Sequence, residues 1–94
     1  MAGRRFDWDE LNLPKCAARV ARFDIEKLFQ ADETIIDPAP HPAELRYRAI
    51  GFDDDGRPMV VIFTIRVIGG RPHVRPISAR YAHEKEVDRW PKRG

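Results

Sequence analysis

The chain has 94 residues, 34% of them charged and 43% hydrophobic, with a formal net charge of +2. That length supports one domain, residues 1–94, with a core too small for a deep cofactor cleft, so a shallow surface site is expected. One cysteine, Cys16, excludes an intrachain disulfide and a cysteine metal cluster; with no signal-peptide core and no apolar run longer than Met59 to Phe63, a cytoplasmic protein without membrane attachment is expected.

Residues 5–8 are expected to form a short edge strand with Phe6 and Trp8 on one face. A helix follows, with Asn12 as N-cap and Pro14 in the first turn, where a missing N–H costs nothing. Leu13, Cys16, Ala17 and Val20 recur at helical spacing and predict its apolar stripe, while Lys15, Arg19 and Arg22 fall together on another face. A second helix opening at Asp24 turns Ile25, Leu28 and Phe29 inward. Three prolines within residues 37–43 predict a surface loop.

From there the pattern is that of strands. Leu45, Tyr47 and Ala49 alternate with Arg46 and Arg48, a half-buried strand with an arginine face. The run from Asp53 to Arg57 carries Asp-Gly and predicts a hairpin turn. Met59 to Ile65 is apolar on both faces, as in a central strand. Gly69-Gly70 marks a second hairpin. His73 to Ser78 alternates again, but Val74 and Ile77 are out of phase around Pro76, which predicts an edge or a bulge there. A last helix, Ala82 to Trp90, sets His83, Val87 and Trp90 on one face before Pro91 stops it. Two helices, an antiparallel meander and a closing helix make an α+β domain, with helices on one side of a twisted sheet.

The kind of cation is more informative than the net charge. Thirteen of the 17 basic residues are arginine, whose planar fork fits phosphate and carboxylate alike. Arg66, Arg75 and Arg80 lie on or just past neighbouring strands. Converging, they would hold a phosphodiester and offset the charge of a pentavalent phosphorus. Apart, they are surface arginines paired with the abundant Asp and Glu; Pro76 leaves the register, and so the choice, open. The Lys15, Arg19 and Arg22 face suits a nucleic-acid backbone or plain solvent. His83 and Lys85 could move protons in phosphodiester cleavage, although a His83 that shares a face with Val87 and Trp90 would simply pack. His41 and His73 are scattered, so no metal site is expected. The Asp53-Asp54-Asp55-Gly56 run lacks the alternation and distant Glu of a calcium loop. No phosphate-binding loop, dinucleotide fingerprint or nucleophile elbow is present.

Two segments resemble the BrnT family of toxins. One is Phe6-Asp-Trp-Asp-Glu-Leu-Asn12, with the first helix and Phe29. The other runs through Arg46-Tyr-Arg-Ala-Ile-Gly51, Gly56-Arg57, Val60 to Arg66, Arg75-Pro-Ile-Ser-Ala-Arg80 and Ala82-His-Glu-Lys-Glu86. The resemblance spans Phe6 to Trp90. It implies a RelE-like fold and a ribonuclease of a type II toxin–antitoxin system that uses no metal or other cofactor and arrests translation. It also implies a DNA-binding antitoxin similar to BrnA and a higher-order toxin–antitoxin complex. Function would rest on Arg66, Arg75, Arg80 and the turn from Glu84 to Glu86, with Arg19, Arg22, Arg46, Arg48 and Lys85 as further RNA contacts. Members with this opening carry histidines on the first helix where this chain has Lys15 and Arg19. Lys15 or His83 would then have to move the protons, which a lysine of shifted pKa can do. The alternative is a weak or inactive module that binds antitoxin or nucleic acid.

Overall fold

The computed structural model describes residues 4–91. Two short helices, α1 (Leu13–Ala17) and α2 (Arg22–Leu28), precede four strands: β1 (Ile35–Pro38), β2 (Tyr47–Phe52), β3 (Pro58–Ile68) and β4 (Arg71–Tyr81). A one-turn helix, α3 (Glu84–Val87), follows. The sheet is antiparallel in the order β1-β2-β3-β4, so each strand pairs with its neighbour in sequence. The chain is therefore α+β, as expected. Among the described residues no helix is long and apolar enough to cross a membrane.

Turn chemistry sets the meander. Gly69 and Gly70 have φ of 59° and 77° and close the two-residue turn between Ile68 and Arg71, a left-handed pair that matches strand twist and that glycine adopts without steric cost. At the other hairpin Gly56 has φ of 80°, and the Asp53 carboxylate accepts the Asp55 and Arg57 N–H groups. Pro76 marks a bulge: Phe63 faces Pro76 and Ile62 faces Ser78, which leaves Ile77 as the extra residue on β4.

The sheet is buried on both faces, which explains the apolar run in β3. Met59, Val61 and Phe63 join Ile25, Leu28 and Phe29 of the α2 region, with Cys16 and Val20, in the larger cluster. Val60 joins Ile50 and Trp90 in a smaller cluster on the opposite face, flanked by Ile62 and Val87. The expectation of helices on one side is thus corrected: α1 and α2 cover one face, and the α3 segment covers part of the other. A sheet two-sided in apolar residues needs a cover on each side.

Other local expectations also change. Residues 5–8 form no full strand; Phe6 makes a single parallel bridge to Val74. Helix α1 stops at Ala17, which is exposed, so the stripe reduces to Cys16 and Val20 with half-buried Leu13. Arg22 opens α2, two residues before the expected start. Asp37 and Pro38 belong to β1, because an edge strand tolerates proline where no ladder partner is needed. Leu45 is exposed, as is Ile65 at the far end of β3. The last helix covers Glu84–Val87 only, with exposed His83 as its N-cap rather than packed beside Trp90.

Asn12 sits at the expected N-cap position, but its side chain does not cap the helix. It is buried: its Oδ1 accepts the Asp9 N–H at 2.8 Å, and its Nδ2 donates to Asp7 O at 2.9 Å and Pro76 O at 2.8 Å. One amide thereby ties the N-terminal segment to the bulge. Asn12→Ala should destabilise the domain by about 2–3 kcal/mol, because it strands buried polar partners. Chemical denaturation checks this, and a loss within experimental error would mean that the tie is dispensable.

Candidate functional site

Directly opposed residues of an antiparallel pair share a sheet face. Arg66 pairs with His73, Thr64 with Arg75 and Val60 with Arg80. Before the bulge, therefore, Arg75 lies on the same face as Arg66, with Val74 and Pro76 turned to the core. Past Ile77 the alternation inverts: Ala79 and Tyr81 turn to the core and Arg80 to the outer face. Residues five apart would ordinarily point to opposite faces. The bulge puts Arg66, Arg75 and Arg80 on one face. Arg48, opposite Ile62, shares it.

Two open clefts follow the edge of β4 beside α1. The first, about 330 Å³, is lined by Lys15, Arg19, Ser78, Ala79 and Arg80. The second, about 210 Å³, is lined by Leu11, Asn12, Lys15, Glu44, Arg46, Arg66, Arg75, Pro76 and Ile77. Lys15 lines both, so six cations border the groove that the two clefts make together; Arg80 lies in the first and Arg66 and Arg75 in the second, so these three share a sheet face but not one cleft. β3, β4 and their turn, residues 58–81, supply three of the six and contain no carboxylate at all.

The guanidiniums differ in how they are held. Arg75 donates to Asp9 at 2.9 and 3.3 Å and to Asp7 at 3.1 Å, with only 13% of its side chain exposed. The Asp9 carboxylate raises Arg75 further above its ordinary pKa, and Arg75 holds Asp9 below the usual carboxylate range. Arg80 makes a two-pronged pair with Glu86, at 2.8 and 2.6 Å. That pair raises Arg80 and lowers Glu86. Arg46 pairs with Glu44 at 2.9 Å and depresses it. Among the described residues Lys15, Arg19 and Arg66 have no ion pair, so the groove offers both fixed and free positive charge.

Of the other sequence candidates, Lys15 and Arg19 line the first cleft and the rest lie outside both clefts, apart from Arg46 in the second. Lys15, Arg19 and Arg22 do not form one helix face: Lys15 is in α1, Arg19 in the turn after it and Arg22 at the start of α2. Arg22 stacks over Trp8 and pairs with Glu26. Arg48 is held by Asp37 at 2.9 and 2.5 Å. His83 and Lys85 are exposed and line neither cleft. Sequence reading missed Leu11, Glu44, Asp7, Asp9 and Ser78. The signals for them were the alternate spacing of Asp7 and Asp9 and the place of Asp7, Asp9, Leu11 and Ser78 within the two segments that carry the resemblance; Glu44 had none. Among the described residues no three His, Cys, Asp or Glu side chains gather as metal ligands.

The Arg80–Glu86 pair carries a pH signature. A carboxyl whose pKa is lowered by folding stabilises the native state above its ordinary pKa, and that contribution is lost as pH falls through the lowered value. Both partners are partly solvated, so the effect is small. Wild type should be slightly more stable than Glu86→Gln at neutral pH, with the gap closing in acid. Urea midpoints across that range test it; a gap independent of pH would mean that the pair contributes nothing through ionisation.

Residues 8–86 match the family described as ribonuclease toxin, BrnT, of type II toxin–antitoxin system. No curated protein matches the chain.

Proposed function

The chain belongs to the BrnT family of ribonuclease toxins of type II toxin–antitoxin systems, and on that premise we propose that its basic groove cleaves RNA through attack of a 2′-hydroxyl on the neighbouring phosphorus. The family implies an RNA substrate and an antitoxin partner. On our reading the domain is RelE-like, acts in the cytoplasm without a metal ion or cofactor, and arrests translation. Its antitoxin is a DNA-binding protein similar to BrnA, which holds it in a larger complex.

The observation that carries this reading is the meeting of Arg80 and Lys15 in one cleft, with Arg66 and Arg75 on the same sheet face. Arg80 is the group for the scissile phosphate. Its Nη1 and Nη2 each donate to Glu86, which aims the guanidinium, and the N–H groups left over offset the charge that grows on the phosphorane oxygens. Lys15 is favoured over His83 for proton transfer to the departing 5′-oxygen, because it lines the cleft and His83 does not; the 2′-hydroxyl loses its proton to solvent water, and the products are a 2′,3′-cyclic phosphate and a 5′-hydroxyl. Arg19 steadies the backbone from the far wall. Arg22, Arg46, Arg48 and Lys85 add positive field around the groove.

The test is purified protein on RNA with EDTA present, beside the same sequence as DNA. RNA should be cut and DNA left intact. RNA that survives every condition, with ribosomes included, would defeat the proposal. A second reading has its own support. Arg75 and Arg80 are already bound by Asp7, Asp9 and Glu86, as expected of a module that binds antitoxin or nucleic acid without chemistry. That module would leave growth unaffected when expressed alone.

A further inference from the structure

The two clefts share Lys15 but differ in kind. The first is lined by two arginines and Lys15 around Ser78 and Ala79. The second sets the apolar side chains of Leu11 and Ile77 beside its cations and the Glu44 carboxylate, with buried Pro76 at its floor. Leu11 is 76% exposed, with its backbone N–H fixed by the Asp9 carboxylate at 2.9 Å. Nothing in the core accounts for a leucine held outward there.

The cations of the second cleft are also divided. Arg75 is locked by two carboxylates and Arg46 by Glu44, so both act as fixed wall. Arg66 is exposed and, among the described residues, has no ion pair within bonding distance, although its charge helps Arg46 to lower the Glu44 pKa. It is the member free to take an incoming phosphate. Aliphatic side chains beside an exposed guanidinium suit a nucleotide, the base held by burial against the apolar surface rather than by ring stacking and the phosphate by the arginine.

We propose that the second cleft is a nucleotide subsite: Leu11 and Ile77 support the base, Arg66 takes the phosphate next along the strand from the scissile one, and Lys15 spans the two phosphates. This rests on the ribonuclease reading of the first cleft and adds a reason for the enzyme to prefer longer single strands. Binding beyond the reacting bond raises kcat/KM, through KM, kcat or both.

Two measurements test it. The first compares kcat/KM for a pentanucleotide with that for a dinucleotide, which has one phosphate and cannot fill the second cleft. The ratio should fall about tenfold in Arg66→Ala and in Leu11→Ala. It should hold in Arg89→Ala, an exposed change of the same charge outside the groove. Both tested positions are on the surface, and an unchanged melting temperature confirms folding. The second measurement follows anisotropy of a labelled 2′-O-methyl pentanucleotide, which lacks the attacking hydroxyl and cannot be cut. Arg66→Ala and Leu11→Ala should each weaken its binding about tenfold. If wild type binds this probe with that dependence but cuts no RNA, the subsite stands and the nuclease reading fails. If wild type cuts RNA while both variants keep the wild-type ratio and affinity, the subsite is wrong and the nuclease stands. Loss of antitoxin binding alone in the two variants, with the oligonucleotide unaffected, would assign the cleft to protein and overturn the proposal.

Discussion

Replacing Arg80 with alanine is expected to abolish growth arrest on induction and to lower RNA cleavage by on the order of 10²–10³-fold, the range seen when one well-placed donor to a transition-state oxygen is lost. Its fork is delivered by two features at once. The Ile77 bulge selects the sheet face, and Glu86 fixes the plane of the guanidinium through two bonds. Arg80→Lys should recover little, since a point charge cannot reproduce a two-pronged contact. The side chain is partly exposed and outside both apolar clusters, so the variant should fold as wild type. That separates chemistry from stability. Full toxicity of Arg80→Ala, with soluble protein at wild-type level, would remove Arg80 from the mechanism.

The largest effect on stability is expected at Phe63. Its ring is buried and meets Phe29 edge-on at 4.9 Å and Tyr47 at 5.5 Å, while Phe29 meets Phe6 at 5.7 Å. This chain of rings joins the N-terminal segment, the end of α2 and the two central strands. Phe63→Ala should cost about 3–5 kcal/mol, from lost burial and the cavity left behind. A domain of this size has only about 5–15 kcal/mol in total. The melting temperature should drop by roughly 15–30 °C, and some preparations will not fold at 37 °C. Phe63→Leu fills most of the space and should cost far less. Calorimetry on both variants decides; similar melting temperatures for the two would show that the ring contacts carry no special weight.

The meander was legible because its signals are local. Asp-Gly and Gly-Gly turns, alternation in β2 and the apolar run of β3 each depend on a few adjacent residues. Pro76 even betrayed the bulge. What it could not betray was the consequence. Whether Arg75 and Arg80 share a face depends on which residue is left unpaired, and only the ladder against β3 decides that. Strand β1 was hidden because Asp37 and Pro38 are loop-forming residues in isolation, and pairing with β2 overrides them at an edge. The first and last helices are shorter than their spacing predicts; in the first, apolar spacing continues past the point where the chain turns to bring Val20 and Ile25 into one cluster, while α2 begins two residues earlier than expected. The groove itself was half visible. Its cations were named from the sequence, but Asn12, Asp7 and Asp9 reach it across more than 60 residues, a separation that no local pattern encodes.

The bridge from Phe6 to Val74, with the Asn12 tie to Pro76, has a consequence for when the molecule becomes active. The three strands from β2 onward need only near neighbours, and such local pairings form fastest. The N-terminal segment and α1, although made first, can dock only on a β4 that already exists. Arg75 therefore acquires its carboxylates, and Lys15 its place beside Arg80, in the closing step of assembly. A stretch of chain that ends before β4 thus has neither cleft, and the groove depends on both ends of the domain at once.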